Sequence, residues 1–222
     1  MKLLLSLLFF PSLVLASNGA IYDGYEEYYA TFSERLFVDE KVELDLHVID
    51  QDNNNYYSWR GTLKGRERFA EVKVSDNYNL SFIIDSHKFR AKQVKKFPGE
   101  TISYNSLGFR TEAYFASDWA CLKDTPLVRY RSIFLVHLPK GRKPQAWKLP
   151  GRFASCTGIR LQNGQIKFDK VEYRHQKDKD YPIGVSFHEY TIQGGRFIRT
   201  KSPSRSATFV EPHNVYKFTL DK

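Results

Sequence analysis

Residues 158–174, with the sequence GIRLQNGQIKFDKVEYR, decide the fold class of this chain. Two runs in which apolar and polar residues alternate, 158–162 and 165–174, flank the dipeptide Asn163-Gly164. Alternation of this kind is typical of half-buried β-strands. Asn-Gly favours a two-residue turn, because both residues readily adopt the positive φ angles that the turn requires. The stretch therefore predicts an antiparallel β-hairpin.

The same period-two pattern recurs along most of the chain and is clear in residues 42–48, VELDLHV. Further strands are predicted at Tyr56–Leu63, Phe69–Val74, Leu80–Asp85, His87–Phe97, Thr101–Tyr104, Phe109–Phe115, Val128–Leu138, Val185–Ile192, Phe197–Thr200 and Val215–Leu220. Two segments interrupt the pattern: Ser117–Leu122 is predicted to form a helical turn and Lys140–Pro150 a basic loop. Many short strands at this spacing predict a mainly β fold, an antiparallel β-sandwich or barrel-like domain.

One helix is predicted near the N-terminus, over Tyr22–Val38. Its apolar positions follow the 3.6-residue period of a helix face: Tyr25, Tyr28, Tyr29, Phe32 and Leu36. Asp23 is placed to cap the helix, and Glu26 completes the capping-box spacing three residues later. A tyrosine-rich strand is the alternative, because tyrosine also favours strands.

The first residues indicate export from the cytoplasm. Residues 1–16 have the pattern of a secretory signal peptide: one positive charge, an apolar run over Leu3–Phe10, and small residues Val14 and Ala16 before the expected cut. The run is too short for a membrane span of about 20 residues. A buried N-terminal strand is the alternative. We therefore expect a periplasmic or secreted protein, with 17–222 as a single β-rich domain and no transmembrane segment.

The cysteine count fits this compartment. Cys121 and Cys156 are the two cysteines of the chain, and an even count in an exported protein predicts a disulfide. Such a bond would stabilise the fold by about 3–4 kcal/mol in the chain-entropy description. Two reduced buried thiols are the alternative. The cysteines are too far apart in sequence for a CxxC metal clip, and no metal or other cofactor is predicted.

Charge is distributed unevenly along the chain. The segment 21–52 contains ten acidic and two basic residues, whereas the rest of the predicted mature chain contains 31 basic and 15 acidic residues. This asymmetry indicates either that the acidic segment docks on the remainder, or that two surfaces of opposite sign face different partners.

A basic stripe is the most specific binding signal. In residues 87–92, HKFRAK, the side chains of Lys88, Arg90 and Lys92 are predicted to share one strand face. Such a face attracts phosphates, sulfated sugars or acidic proteins. Nucleic acid is not expected outside the cell, and no RNA-binding aromatic motif is present. The alternative is a set of solvated charges that protects an edge strand from aggregation.

Two further basic clusters follow in the sequence: Lys140, Arg142 and Lys143, and then Arg196, Arg199, Lys201 and Arg205.

The predicted helix carries a second candidate surface. Tyr25, Tyr28 and Tyr29 lie among acidic residues, and tyrosine is enriched in protein interfaces because it adds contact area at a low entropic cost. This acidic tyrosine face would suit a basic protein partner. The alternative is that the rings pack the helix onto the β-body.

Motifs for catalysis are missing from the sequence. There is no GxSxG, SxxK or HExxH pattern, and no phosphate-binding or dinucleotide-binding glycine pattern. A glycosidase would use paired carboxylates. The acids near Cys121 are Glu112, Asp118 and Asp124, and their spacing does not predict such a pair.

The nearest approach to a metal or acid–base cluster is a set of four residues: Glu172, His175, His188 and Glu189. Residues i and i+3 of a strand point to opposite faces. Glu172 and His175 would therefore need a bulge to converge, and hydrogen-bonded surface groups are the simpler interpretation.

These observations favour an exported, non-catalytic binding protein that acts on another protein, such as an inhibitor or immunity-type factor. The first alternative is a binder of anionic envelope polymer or glycan through the basic strand face. The second alternative is a carbohydrate-active enzyme.

Overall fold

The computed structural model describes residues 19–38, 41–51, 54–62, 68–74, 80–102, 111–124 and 130–222, with the backbone alone at 44–51, 54–60 and 124. The predicted signal peptide lies outside these residues. One short helix, α1, spans Tyr25–Ala30. The strands are β1 (Ile21–Asp23), β2 (Lys41–Gln51), β3 (Asn54–Thr62), β4 (Phe69–Val74), β5 (Leu80–Ile84), β6 (His87–Arg90), β7 (Lys95–Lys96), β8 (Thr111–Ala116), β9 (Trp119–Asp124), β10 (Ile133–His137), β11 (Gln145–Lys148), β12 (Arg160–Gln162), β13 (Gln165–His175), β14 (Pro182–Gln193), β15 (Arg196–Arg199), β16 (Arg205–Phe209) and β17 (Lys217–Leu220).

The strands form two sheets. The ten-stranded sheet has the order β6-β5-β4-β3-β2-β8-β9-β10-β11-β7, and the seven-stranded sheet has the order β1-β17-β16-β14-β13-β12, with β15 paired to the far end of β14. Neighbouring strands are antiparallel except for the short parallel pair β11–β7. The sheets curl into a half-barrel. The prediction of a mainly β, antiparallel, barrel-like fold with one N-terminal helix is confirmed.

The hairpin predicted at residues 158–174 is present. β12 and β13 are antiparallel, with Gln162 opposite Gln165. Asn163 and Gly164 form the turn with φ angles of 50° and 75°, the positive values that favour Asn-Gly at this place.

The predicted helix over Tyr22–Val38 was too long. β1 pairs with β17, and the chain that follows α1 pairs with the seven-stranded sheet. The backbone N–H of Leu36 donates to the carbonyl of Ile159 at 2.8 Å, and Arg35 forms an isolated bridge with Arg160. These long-range backbone hydrogen bonds outweigh the local helical pattern.

The start of the helix also differs from the prediction. Gly24, with φ of 117°, is the N-cap, and no side chain caps the helix. Asp23 is therefore not the cap, and its backbone N–H donates to the Glu27 carboxylate at 2.6 Å. The Glu26 carboxylate is therefore not part of a capping box and contacts residues outside the helix.

Three other segments required correction. Ser117–Leu122 is not a helical turn: Ser117 lies in the tight turn between β8 and β9 with a positive φ of 51°, and the segment from Trp119 onward pairs with β8 and β10 as β9. The loop predicted at Lys140–Pro150 contains β11. The strand predicted over His87–Phe97 is divided by a 3-10 turn into β6 and β7.

The two sheets share a hydrophobic core. Leu135 and Trp147 of the ten-stranded sheet belong to the same buried cluster as Ile159 and Phe168 of the segment around β12 and β13. The predicted disulfide lies in this cluster and is confirmed as Cys121–Cys156. Cys121 is on β9 and Cys156 begins a 3-10 turn just before β12. The bond therefore ties one sheet to the other.

Candidate anion-binding cleft

The ten-stranded sheet begins with β6 and ends with β7, although only residues 91–94 separate these two strands in the chain. Four residues reach at most roughly 18 Å between the flanking Cα atoms. The sheet must therefore curl until its two ends come close together. We call the gap between these ends the seam.

A cleft of about 480 Å³ lies at the seam. This volume is within the range of about 300–1,000 Å³ that is common for ligand sites. Its charged or titratable lining residues are His87 and Lys88 from β6, Lys95 from β7, and Lys143 from the segment before β11. The remaining lining residues are Phe89, Gln93, Pro144, Gln145 and Ala146. No carboxylate is among them, so the lining has a strongly positive character.

The three lysines of the cleft are exposed, and none of them forms an ion pair with another residue in the described part of the chain. Other lysines of the protein are neutralised: the ammonium group of Lys123 lies 2.6 Å from Glu26, and that of Lys148 lies 2.9 Å from Glu100. The segments around the three cleft lysines contain no acid of their own, and Lys148, in one of these segments, is neutralised by Glu100 from elsewhere in the chain. Residues 86–99 and 138–152 contain five Lys or Arg residues each and no Asp or Glu.

Lys95 is also positioned by the other sheet. A Cβ atom added to Gly195 would lie 2.1 Å from the Lys95 Nζ atom, so the ammonium group rests against the backbone of the β14–β15 turn. Gly195 has a positive φ of 74°, which glycine adopts without strain. The absence of a side chain at this position leaves room for the lysine.

The structure places the three predicted stripe residues differently from one another. Lys88 and Arg90 are exposed on β6, and the buried Phe89 lies between them. Lys92 is exposed in the 3-10 turn after the strand, so it does not share the strand face. Of the three, only Lys88 lines the cleft. Lys95 and Lys143 complete the charged lining instead.

The predicted tyrosine face is in the interior. Tyr25, Tyr28 and Tyr29 are 5%, 1% and 2% exposed. The Tyr25 ring stacks on Phe153 with ring centroids 4.0 Å apart, and its hydroxyl donates to the carbonyl of Val215 at 3.1 Å. Burial raises the pKa of Tyr28 and Tyr29 well above the usual value. These rings pack α1 onto the β-body, which was the alternative interpretation.

The acidic side of α1 also serves packing. The Glu26 carboxylate accepts hydrogen bonds of 2.6 Å from each of four donors: Lys123, Arg131, Ser155 and Thr157. Burial alone would raise the pKa of Glu26, but the positive charge of Lys123 and these hydrogen bonds outweigh it and lower the pKa to about 2. We call this set the Glu26 cluster. It fastens α1 to β9 and to the turn that contains the disulfide.

Of the three acids near Cys121, the two whose side chains are described have separate partners. Glu112 accepts from the Tyr114 hydroxyl at 2.7 Å and lies 3.6 Å from the Lys123 ammonium. Asp118 pairs with His137 at 2.8 Å, and the side chain of Asp124 lies outside the described residues. Among the described residues, five carboxylates have a pKa below the ordinary value: Glu26, Glu112, Glu172, Glu189 and Glu211. A glycosidase acid needs the opposite shift.

The four residues that come nearest to a metal or acid–base cluster in the sequence are brought together in part. His188 Nε2 lies 3.1 Å from a Glu172 oxygen. Glu189 points to the opposite face, where it pairs with Arg160 and Lys167 at 3.1 Å. The described residues contain no group of three or more His, Cys, Asp or Glu side chains that could hold a metal ion.

Comparison with known protein families, curated proteins and solved structures finds no match to this chain. Among the described residues, no helix has the length and apolar character needed to cross a membrane.

Proposed function

We propose that this protein binds an anionic polymer or glycan through the cleft at the seam, and that the cleft itself has a binding role only. The observation that carries the proposal is the lining of that cleft: three exposed lysines without ion pairs and no carboxylate. Lysine is a mobile point charge suited to phosphate and sulfate groups. The three lysines come from β6, from β7 and from the segment before β11, so the tertiary fold brings their charges together.

The sequence favours an exported, non-catalytic factor that acts on another protein, and the tyrosine face is one surface suggested for that contact. The rings of that face are buried, so they offer no surface to a partner. We further propose that the protein works in the periplasm or the external medium. The disulfide supports this compartment, because reducing compartments disfavour structural disulfides.

The test is fluorescence anisotropy with labelled dextran sulfate, using uncharged dextran as the control ligand. Salt screens exposed charges, with a Debye length of about 10 Å at 0.1 M and about 3 Å at 1 M. We therefore expect binding to dextran sulfate at low salt, a large loss of affinity at 1 M salt, and no binding to uncharged dextran.

The site is tested with two variants of equal charge. The cleft variant is Lys88→Gln/Lys95→Gln/Lys143→Gln, and the control variant replaces three exposed lysines outside the cleft: Lys177, Lys179 and Lys222. Each lysine near an anionic surface contributes about 1 kcal/mol. The cleft variant should therefore bind roughly 100-fold more weakly, and the control variant much less so.

Equal loss in both variants would show that binding follows net charge alone and would overturn the assignment of the cleft. A parallel titration with poly-glutamate separates ligand classes. Tight binding of that polypeptide without binding of dextran sulfate would favour a protein partner and overturn the glycan proposal.

A further inference from the structure

A row of polar side chains crosses one face of the seven-stranded sheet, on elements that do not line the cleft. Glu172 is on β13, His188 is on β14 and Arg199 is on β15, while Ser204 precedes β16. Successive strand residues point to opposite faces. The neighbour Phe187 is fully buried in one core cluster, so this row lies on the opposite face, on which Phe168 and Tyr190 contact a second cluster further along the same strands.

The hydrogen bonds form a continuous relay. His188 Nδ1 lies 2.8 Å from the Ser204 hydroxyl oxygen, and His188 Nε2 lies 3.1 Å from a Glu172 oxygen. Arg199 Nη2 lies 2.9 Å from His188 Nδ1 and 3.0 Å from the Ser204 oxygen. A guanidinium group only donates hydrogen bonds. Nδ1 is therefore the unprotonated ring nitrogen, and the ring proton on Nε2 is donated to Glu172.

We propose that Ser204, His188 and Glu172 form a nucleophile–base–carboxylate relay that hydrolyses acyl esters. Such constellations are recognised by geometry and by the roles of the groups, not by a sequence motif. The nucleophile–base and base–carboxylate distances both fall within the range of about 2.6–3.2 Å expected for an activated nucleophile. The absence of GxSxG is therefore compatible with the relay.

The reaction proceeds in two balanced steps. The Ser204 oxygen attacks the carbonyl carbon of the ester while His188 Nδ1 takes the hydroxyl proton. The carbon–oxygen bond to the alcohol breaks, and the alcohol leaves with that proton. Water then attacks the acyl-serine by the same route, which releases the carboxylic acid and restores the serine. Arg199 Nη2 competes with the Ser204 hydroxyl for the single lone pair of Nδ1, so the step requires that Arg199 leaves Nδ1. Its guanidinium would then donate to the carbonyl oxygen as that oxygen becomes negative.

Two features of the site fit these roles. A hydrogen bond from Lys170 lowers the pKa of Glu172, so this carboxylate stays ionised and orients the ring as a positioning residue. The Glu172 side chain is 45% exposed, and Arg199 and Ser204 are also exposed. Such an open site suits an ester that projects from a polymer or another surface, such as an acetyl substituent.

The test is covalent labelling of the full oxidised protein with a fluorophosphonate, followed by peptide mass spectrometry. We expect the label on Ser204. Ser204→Ala should abolish it, and His188→Gln should slow it at least about 100-fold, the usual contribution of a general base. Ser202→Ala removes a nearby exposed hydroxyl and should label normally.

Turnover of p-nitrophenyl acetate tests the role of Glu172. Glu172→Gln should lower kcat more than it changes KM, which a merely structural contact would not do. The proposal is overturned if the unmodified protein is labelled no faster than Ser204→Ala, or if the label is on another residue. The cleft variant should label normally, so failure of the relay and failure of polymer binding are distinguishable.

Discussion

The Glu26 cluster should stabilise the folded state by a measurable amount. Replacing Glu26 with Gln keeps the shape of the side chain but removes the charge that holds Lys123 and Arg131 at 2.6 Å. Lys123 is only 7% exposed, so its ammonium group would lose its nearest counter-charge within the interior. Glu112, at 3.6 Å, would remain as its second partner.

The expected loss of unfolding free energy follows from the pKa of Glu26, which falls from an ordinary value of 4.5 to about 2 on folding. At about 1.36 kcal/mol per pKa unit, the full shift corresponds to about 3 kcal/mol. Glu26 is 41% exposed, and solvent screening reduces such interactions. We therefore expect Glu26→Gln to lower the free energy of unfolding by about 1–2 kcal/mol at pH 7.

The dependence on pH has a defined sign. Because the folded-state pKa is depressed, the contribution of Glu26 is fully present above pH 4.5 and is lost as the pH falls through about 2. Urea unfolding at a series of pH values should show a steeper loss of stability below pH 5 for the unmodified protein than for Glu26→Gln.

The neighbouring Glu27 supplies a matched control. It is exposed, and its carboxylate accepts from the backbone of Asp23, so Glu27→Gln removes the same charge outside the cluster. Equal unfolding free energies for the two variants, with identical pH profiles, would refute the reasoning.

Three further predictions concern the disulfide, Gly195 and the predicted signal peptide. The variant Cys121→Ala/Cys156→Ala should have a free energy of unfolding lower by about 3–4 kcal/mol, measured by urea unfolding. An unchanged urea midpoint would show that the disulfide does not stabilise the contact between the sheets. Gly195→Ala should cost more than about 1 kcal/mol because of its positive φ and should weaken dextran sulfate binding by displacing Lys95; unaltered binding would mean that the Lys95 position is unimportant. The protein recovered from the periplasm or medium should begin after Ala16 by intact mass, and an uncut chain there would contradict the predicted signal peptide.

The parts of the fold that depend on local patterns could be predicted from the sequence. The hairpin at Asn163-Gly164 is determined by turn chemistry and by alternation on both sides, and both are local. β9 was missed because its strand character comes from pairing with β8 and β10. The helix was overextended because the pairing of Leu36 with Ile159 joins residues far apart in the chain.

The candidate cleft could be predicted only in part. Lys88 belonged to the basic stripe, but Lys95 and Lys143 reach the same cleft through the parallel pairing of β7 with β11. No local pattern indicates that these segments are neighbours. For the proposed relay, Glu172 and His188 belonged to the cluster considered from the sequence, but Ser204 was missed because it approaches His188 from a loop 16 residues away.

The Glu26 cluster has a consequence for the order in which the chain assembles. α1 is only six residues long, and isolated helices shorter than about 12 residues are marginal in water. Its partners Lys123 and Ser155 lie 97 and 129 residues further along the chain. The N-terminal segment is made first, yet its docking must wait until most of the chain is available. Nearly complete chains should therefore retain an undocked N-terminus until the turn that contains Cys156 has formed, and proteolysis of such intermediates should begin there.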